Sequence, residues 1–383
     1  MRPVTTFIRH NSIKALLAAE KGAKTISKGK LCSNLFDVEP KYVGTDVRII
    51  KETEDSTFIA KCDTNGRIVD KPFKILVTTD LHLCDDMELI NKTLALLARH
   101  VEAEKPDLIL FTGDVVLTDH QQVDCIQFGR FMEKMGIYWA YVFGNHEARA
   151  EKEYHKYLML KNLTSFPHCL SKFGDPSLFG YGNFFINILS SEKTIQQSIV
   201  MLDSGRNTSP THNVENDAPA ELKCYDFLKK GQIEWYKNNI LQLEKEYGKF
   251  KSIMMMHIAL CEYREVMELD KNENYVPTGK AEILYGGMYE SIGCSEFNSG
   301  MFKTIKELGS TQAVVVGHDH INDFCAEYDG VYLVYAQCGG YNTYTMGSNF
   351  GWEEKDWMQG VTMIDVAEDG EIVFRQRFNR DYL

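Results

Sequence analysis

The chain has 383 residues, 44% of them apolar, enough for a sizeable core in one large domain with insertions or in two or three domains. Its formal net charge of −12 argues against a nucleic-acid backbone as the main partner, and no apolar run reaches the length of a membrane span. Ten cysteines lie scattered without a Cys-X-X-Cys pair, which reads as the reduced thiols of a cytoplasmic protein rather than a disulfide framework. The first thirty residues hold Arg2, Arg9, Lys14, Lys21, Lys24, Lys28 and Lys30 against Glu20 alone. Such a stretch reads as a solvated arm or a helix packed on the main domain, and it also has the character of an organellar transit peptide. Ser12 to Lys21 has helical spacing, and Val47–Ile50, Thr57–Lys61 and Arg67–Val69 are short β-like runs split by turns. Residues 1–70 are therefore expected to form an N-terminal extension, a helix plus a small antiparallel addition, packed on a main domain of residues 71–383.

From Lys74 to Glu147 the pattern becomes regular. Three apolar β-runs, Ile75–Val77, Leu108–Phe111 and Tyr138–Phe143, each stop at a polar tip. The tips are Asp80-Leu81-His82, Gly113-Asp114 and Gly144-Asn145-His146-Glu147. Helices fill the gaps; in the first, Ile90, Leu94, Leu97 and Val101 share one face and Pro106 ends the helix. Tyr154, Tyr157, Leu158 and Leu160 suggest a further helix over the sheet, and Asn183–Leu189 with Ser198–Leu202 a strand pair opening a second sheet. Asp203–Asp226 is long and polar, either a lid or a plain surface insertion. An amphipathic helix, Gln232–Leu243, precedes the strand Ser252–Met256, which ends at His257. Glu262–Ser299 is a second insertion, whose Tyr263, Tyr275 and Tyr285 either wall a substrate pocket or pack the insertion on itself. After the helix Phe302–Leu308, the strand Ala313–Val316 ends in Gly317-His318-Asp319-His320. The strand Val331–Ala336, the glycine- and tyrosine-rich loop Cys338–Trp352 and a hairpin around Asp369-Gly370 complete the chain. Some ten strands in two sheets with helices outside predict a four-layer α/β/β/α sandwich.

Each of the five tips ends an apolar strand, and together they gather Asp80, His82, Asp114, Asn145, His257, His318 and His320 at what reads as one edge of a parallel sheet, where open α/β sheets hold ligands. Oxygen and imidazole donors without thiolate suit divalent metal ions. Seven donors are more than one ion uses. Two ions sharing Asp114 would use them all, the usual apparatus for attack on a phosphate ester. His10, His100, His120, His155, His168 and His212 fit no tip and read as structural, with His120 near enough to Asp114 to line the pocket.

The five tips in this order, over residues 74–340, resemble the calcineurin-like metallophosphoesterase superfamily. Gly317–Phe324, His257–Tyr263 and Tyr225–Trp235 are similar to its intracellular purple-acid-phosphatase-like phosphohydrolases. Purple enzymes proper carry a ferric-ligating tyrosine three residues after the shared aspartate; this chain has Leu117 there. The resemblance implies a first ion on Asp80, His82, Asp114 and His320 and a second on Asp114, Asn145, His257 and His318. It implies manganese, iron or zinc, or else magnesium, and a small phosphorylated substrate, monoester or diester. It also implies in-line attack by a metal-bridging hydroxide, with His146 assisting the leaving group and Glu147 either orienting His146 or forming a surface salt bridge. Protein Ser/Thr phosphatase activity and a catalytically silent metal-binding scaffold are the alternatives. Oligomeric state is not legible.

Overall fold

The computed structural model describes residues 36–118, 121–147, 154–347 and 358–382. The basic N-terminal segment with its expected helix and His10, together with His120 and the end of the loop Cys338–Trp352, lies outside the described residues. A hairpin of β1 (Val47–Glu52) and β2 (Ser56–Lys61) leads to β3 (Phe73–Thr78). Then come α1 (Met87–Glu104), β4 (Leu108–Phe111), α2 (Gln121–Glu133) and β5 (Tyr138–Tyr141). Asp86 caps α1 by accepting from the Glu88 and Leu89 amides, and the helix stops at Glu104 just before Pro106, with Lys105 turned out at φ +49°. The chain continues through α3 (Tyr154–Leu163), β6 (Phe184–Leu189), β7 (Ile195–Met201), α4 (Pro210–Glu215), α5 (Lys230–Tyr247) and β8 (Lys251–Met255). An excursion then holds β9 (Met267–Leu269), β10 (Tyr275–Pro277) and β11 (Ala281–Tyr285). α6 (Met301–Leu308), β12 (Thr311–Val316), β13 (Cys325–Tyr328), β14 (Val331–Tyr335) and the hairpin of β15 (Gly360–Val366) and β16 (Ile372–Phe378) follow.

Among the described residues these strands make a five-stranded sheet, β16-β15-β3-β4-β5, a nine-stranded sheet, β1-β2-β6-β7-β8-β12-β14-β13-β11, and a small pair, β9 and β10. The pairs β3–β4, β4–β5, β7–β8 and β8–β12 are parallel. Side chains alternate across each strand, and the alternation assigns the layers. Ile75, Val77, Leu108 and Leu110 of the smaller sheet meet Ile253, Met255, Ala313 and Val315 of the larger in a core between the sheets. Their neighbours Leu76, Ile109 and Phe111 face the other way, under Leu94 and Leu97 of α1, Phe128 of α2 and Leu160 of α3. Met254, Val314 and Val316 face outward under Tyr236 and Ile240 of α5 and Ile305 of α6. The result is the four-layer α/β/β/α sandwich of two mixed sheets. No described helix is long and apolar enough to cross a membrane.

Three details differ from the sequence reading. The β1–β2 hairpin joins the larger sheet through the parallel β2–β6 pairing, rather than standing as an addition ahead of β3. The described strands exceed ten in part because the excursion after β8 is itself strand-forming; β9 and β10 are too short, and β11 is too interrupted by Glu282, to register as apolar runs. Tyr263 is fully buried, with its hydroxyl donating to the Val314 carbonyl at 2.8 Å, so this tyrosine packs the excursion onto the core instead of walling a pocket.

Candidate metal centre

The five tips come from both sheets, not from one edge of a single sheet: three follow β3, β4 and β5, and two follow β8 and β12. Face-to-face packing brings the ends of these strands to a common rim. Two groups of side chains there could each hold a metal ion, Asp80 with His82 and His320, and Asp114 with His257 and His318; in each, the donor atoms lie within 4.8 Å of one another. In the first group the His82 and His320 Nε2 atoms are 3.1 Å apart and lie 3.4 and 3.2 Å from Asp80 Oδ1. In the second, His257 Nε2 lies 3.2 Å from Asp114 Oδ2 and 2.8 Å from Asn145 Oδ1. Asp114 Oδ2 is also 3.6 Å from His82 Nε2, so one carboxylate oxygen faces both groups.

Main-chain geometry aims these groups. Asp80, His82, Asp114 and His318 adopt φ of +53°, +45°, +51° and +78°. Left-handed backbone costs a non-glycine residue roughly 1–2 kcal/mol, and such strain is retained at functional sites. The tips after β3 and β4 brace each other: Asp80 N donates to Gly113 O at 3.1 Å and His82 N to Asp114 O at 2.9 Å. Gly113 and Gly144 allow the close approach. A Cβ on Gly144 would lie 2.2 Å from Asp114 Oδ1, and one on Gly113 2.6 Å from His257 Nδ1.

Glu147 is not a surface salt bridge. It is 1% exposed. Its Oε2 accepts from the amides of Asp114 at 3.0 Å and Gly144 at 2.6 Å, and its Oε1 from Val115 at 2.7 Å and from the Tyr141 hydroxyl. One buried carboxylate thus staples the Gly-Asp tip to the Gly-Asn-His-Glu tip. Burial and the neighbouring Asp114 push its pKa up to about 7, while the donors from Tyr141 and Gly144 favour the anion.

The donor set fits cations. Asp80 Oδ1 is buried and has no hydrogen-bond partner, and it faces two imidazole nitrogens. Ligand atoms about 2.0–2.2 Å from one ion lie roughly 2.9–3.5 Å from each other, which is the spacing found here. The ring orientations agree. His257 Nδ1 donates to the Thr112 carbonyl at 2.8 Å, and His320 Nδ1 lies 2.8 Å from Thr343 Oγ1 and 3.4 Å from the Tyr344 carbonyl, which turns both Nε2 atoms toward the shared space. Burial pushes the Asp80 and Asp114 carboxyls up, but His320 and His257 beside Asp80, and His257 beside Asp114, hold both well below the ordinary carboxylate range. Burial disfavours charge on His257, yet Asp114 and Asp80 raise its pKa to about 10; His318, buried and crowded by His257, falls to about 3. The carboxylates thus draw positive charge into the cluster, charge that a bound cation supplies when protons are released.

A family model described as calcineurin-like phosphoesterase matches residues 73–322. The chain belongs to the calcineurin-like phosphoesterase family. Among similar proteins is the "Probable inactive purple acid phosphatase 14" of Arabidopsis thaliana, 28% identical over 330 residues, 76% of this chain and 75% of that one. The phosphatase DCR2 of Saccharomyces cerevisiae is 27% identical over 280 residues, 67% of this chain and 45% of that protein. A crystal structure of a dimetal phosphatase from Danio rerio shares the fold, with a TM-score of 0.52 at 12% identity, over 81% of this chain and 97% of that one.

Within this metallophosphoesterase frame, the seven candidate donors and His146 all lie at the rim. The His146 amide donates to Asp114 Oδ1 at 2.8 Å, its Nε2 is 3.9 Å from Asp114 Oδ2, and its ring meets His82 edge-on at 5.1 Å. His100 and His168 lie elsewhere, one buried on α1 and one paired with Glu133 at 2.7 Å. Sequence reasoning assigned no role to four neighbours. Tyr344 stacks on His320 with ring centroids 4.2 Å apart and donates its hydroxyl to Glu290. Tyr225 meets His318 edge-on at 4.3 Å, and Asp319 accepts from the Gly293 amide at 2.9 Å. Periodicity carries no signal for these contacts, because three of the four residues sit in insertions and loops.

Proposed function

We propose that the chain hydrolyses a small phosphate ester, monoester or diester, with two divalent cations. Asp80, His82, Asp114 and His320 would hold one, and Asp114, Asn145, His257 and His318 the other. The observation that carries this reading is the single Asp114 oxygen facing both donor groups. Manganese, iron and zinc suit the nitrogen and oxygen donors, and magnesium is the fourth candidate. Bound cations supply Lewis acidity toward phosphate oxygens and lower the pKa of water from about 15.7 toward 7.

The chain's own residues do the rest. Asn145 is a neutral oxygen donor, which limits the ligand charge. His146 stands at the mouth, its side chain 34% exposed, anchored through its amide on Asp114. From there it gives a proton to the leaving oxygen or stabilises its charge, worth roughly 10²–10⁴-fold. Tyr225 and Tyr344 flank the site and keep His318 and His320 in place. Residues 71–383 are the proposed catalytic unit, with β1 and β2 added at one end of the larger sheet. The cysteines described are all free, which fits the reducing cytoplasm.

The name of the Arabidopsis relative favours one second reading, a scaffold that binds metal without turnover. Para-nitrophenyl phosphate and its bis ester, assayed with added manganese or zinc, separate the two. Hydrolysis of either ester, abolished by chelation, is the expected result. Two cations bound with neither ester cleaved would establish the scaffold, and turnover confined to phosphoproteins would move the assignment to a protein phosphatase.

A further inference from the structure

Three thiols converge on Ser295, behind His318. Cys261 Sγ donates to the Ser295 carbonyl at 3.3 Å, Cys294 Sγ to the same oxygen at 3.5 Å, and Cys224 Sγ lies 3.5 Å from Ser295 Oγ. The two thiols thus share one acceptor, and a β-bridge from Ala259 to Cys294 fixes their segments side by side. Cys261 is half-buried and lines a cavity of about 20 Å³ together with Ser204, Asp226 and Ser295. That volume suits about one water-sized molecule.

The thiols abut the metal centre. Cys294 follows Gly293, whose amide donates to Asp319 at 2.9 Å. A Cβ on Gly293 would lie 2.8 Å from His318 Nε2, so this backbone backs the His318 ring without slack.

We propose that Cys261 and Cys294 form a peroxide-oxidisable dithiol, and that closing it into a disulfide loosens the cation held through His318; the second half rests on the cation assignment made above. Among the described residues Cys261 is the one thiol whose pKa is lowered, by the neighbouring Cys294 thiol and by Arg264, against burial. Cys294 is pushed up and keeps its proton. This division suits an attacking thiolate and a resolving thiol. The Cys261 thiolate attacks one peroxide oxygen, the O–O bond breaks, and the departing hydroxide takes a proton to become water. Cys294 then loses its proton as its sulfur attacks the Cys261 sulfenic sulfur; the S–S bond forms, the S–O bond breaks, and a second water leaves. Two thiols give up two electrons and the peroxide is reduced to two waters. A disulfide draws the two Cβ atoms to about 3.5–4.5 Å, which shifts Cys294 and with it the Gly293 backing of His318.

The test uses the full chain loaded with zinc, which has no redox chemistry of its own. Hydrogen peroxide is added in steps, disulfides are mapped by mass spectrometry after alkylation, and released zinc is read with a chromophoric chelator. The expected result is a Cys261–Cys294 cross-linked peptide and zinc release about tenfold easier, both reversed by dithiothreitol and both absent in Cys261→Ser and Cys294→Ala. Cys261 linked to Cys224, both thiols still open to alkylation, or equal zinc release from the variants would overturn the proposal. A chain that holds no zinc before peroxide is added fails the cation assignment and removes the coupling with it; a chain that holds zinc while its dithiol stays reduced fails the dithiol alone.

Discussion

The two sheets contribute unlike halves to the rim. The smaller sheet supplies both carboxylates, Asp80 and Asp114, together with His82, Asn145 and His146. Main-chain bonds between its tips and the buried Glu147 hold this half rigid. The larger sheet supplies only imidazoles, His257, His318 and His320. Two of these are turned by hydrogen-bond partners from elsewhere in the chain, the Thr112 carbonyl and Thr343 Oγ1, and two are packed by tyrosines from loops. One half fixes charge with backbone; the other orients imidazole rings with a carbonyl, a hydroxyl and two tyrosines. Loss of a carboxylate from the first should therefore cost charge and metal together, and loss of a ring support from the second should cost affinity alone.

The largest expected effect is Asp114→Asn, which removes the charge that faces both groups; elemental analysis should find both cations lost, and activity with them. His146→Ala should keep both cations yet slow turnover about 10²–10⁴-fold, read as kcat on para-nitrophenyl phosphate. Equal metal loss in these two variants would show that His146 belongs with the ligands. Glu147→Gln turns a donor toward the amides of Asp114 or Gly144 and should lower stability by about 2–3 kcal/mol, seen as a shifted denaturant midpoint. Behind the same half, α1 buries His100, and burial lowers its pKa from 6.5 to about 4. The unfolded chain binds that proton first, so the stability His100 contributes is complete above pH 6.5 and is lost as pH falls toward about 4. Between pH 7.5 and 5 the loss is about 2 kcal/mol, and His100→Leu should flatten this part of the stability–pH curve. The smallest effect falls on the other half: Tyr344→Ala removes the ring stacked on His320 and should weaken cation binding about tenfold with the denaturant midpoint little moved.

The same division decides what could be read from the chain. β3, β4 and β5 alternate with helices and end at tips that carry every donor of their half, so spacing placed Asp80, His82, Asp114, Asn145 and His146 without coordinates. His257, His318 and His320 were equally legible, because each follows an apolar strand. Their supports were not. Tyr225, Glu290 and Tyr344 sit in segments whose path is set by tertiary contacts, and nothing in their local pattern points to His318 or His320. Glu147 failed for a different reason: a glutamate after His146 is ordinarily solvated, and only three-dimensional closure of the two tips makes it an internal acceptor for four amides and a tyrosine. The place of β1 and β2 at one end of the larger sheet was hidden too, since a parallel partner as remote as β6 leaves no trace in local sequence.

Electron paramagnetic resonance of the manganese-loaded protein addresses the shared Asp114 oxygen most directly. Two cations about 3.5–4 Å apart couple by exchange through such a bridge. The account predicts the broadened, coupled spectrum of a manganese pair at two equivalents per chain. The sharp hyperfine pattern of isolated manganese at full loading would contradict it.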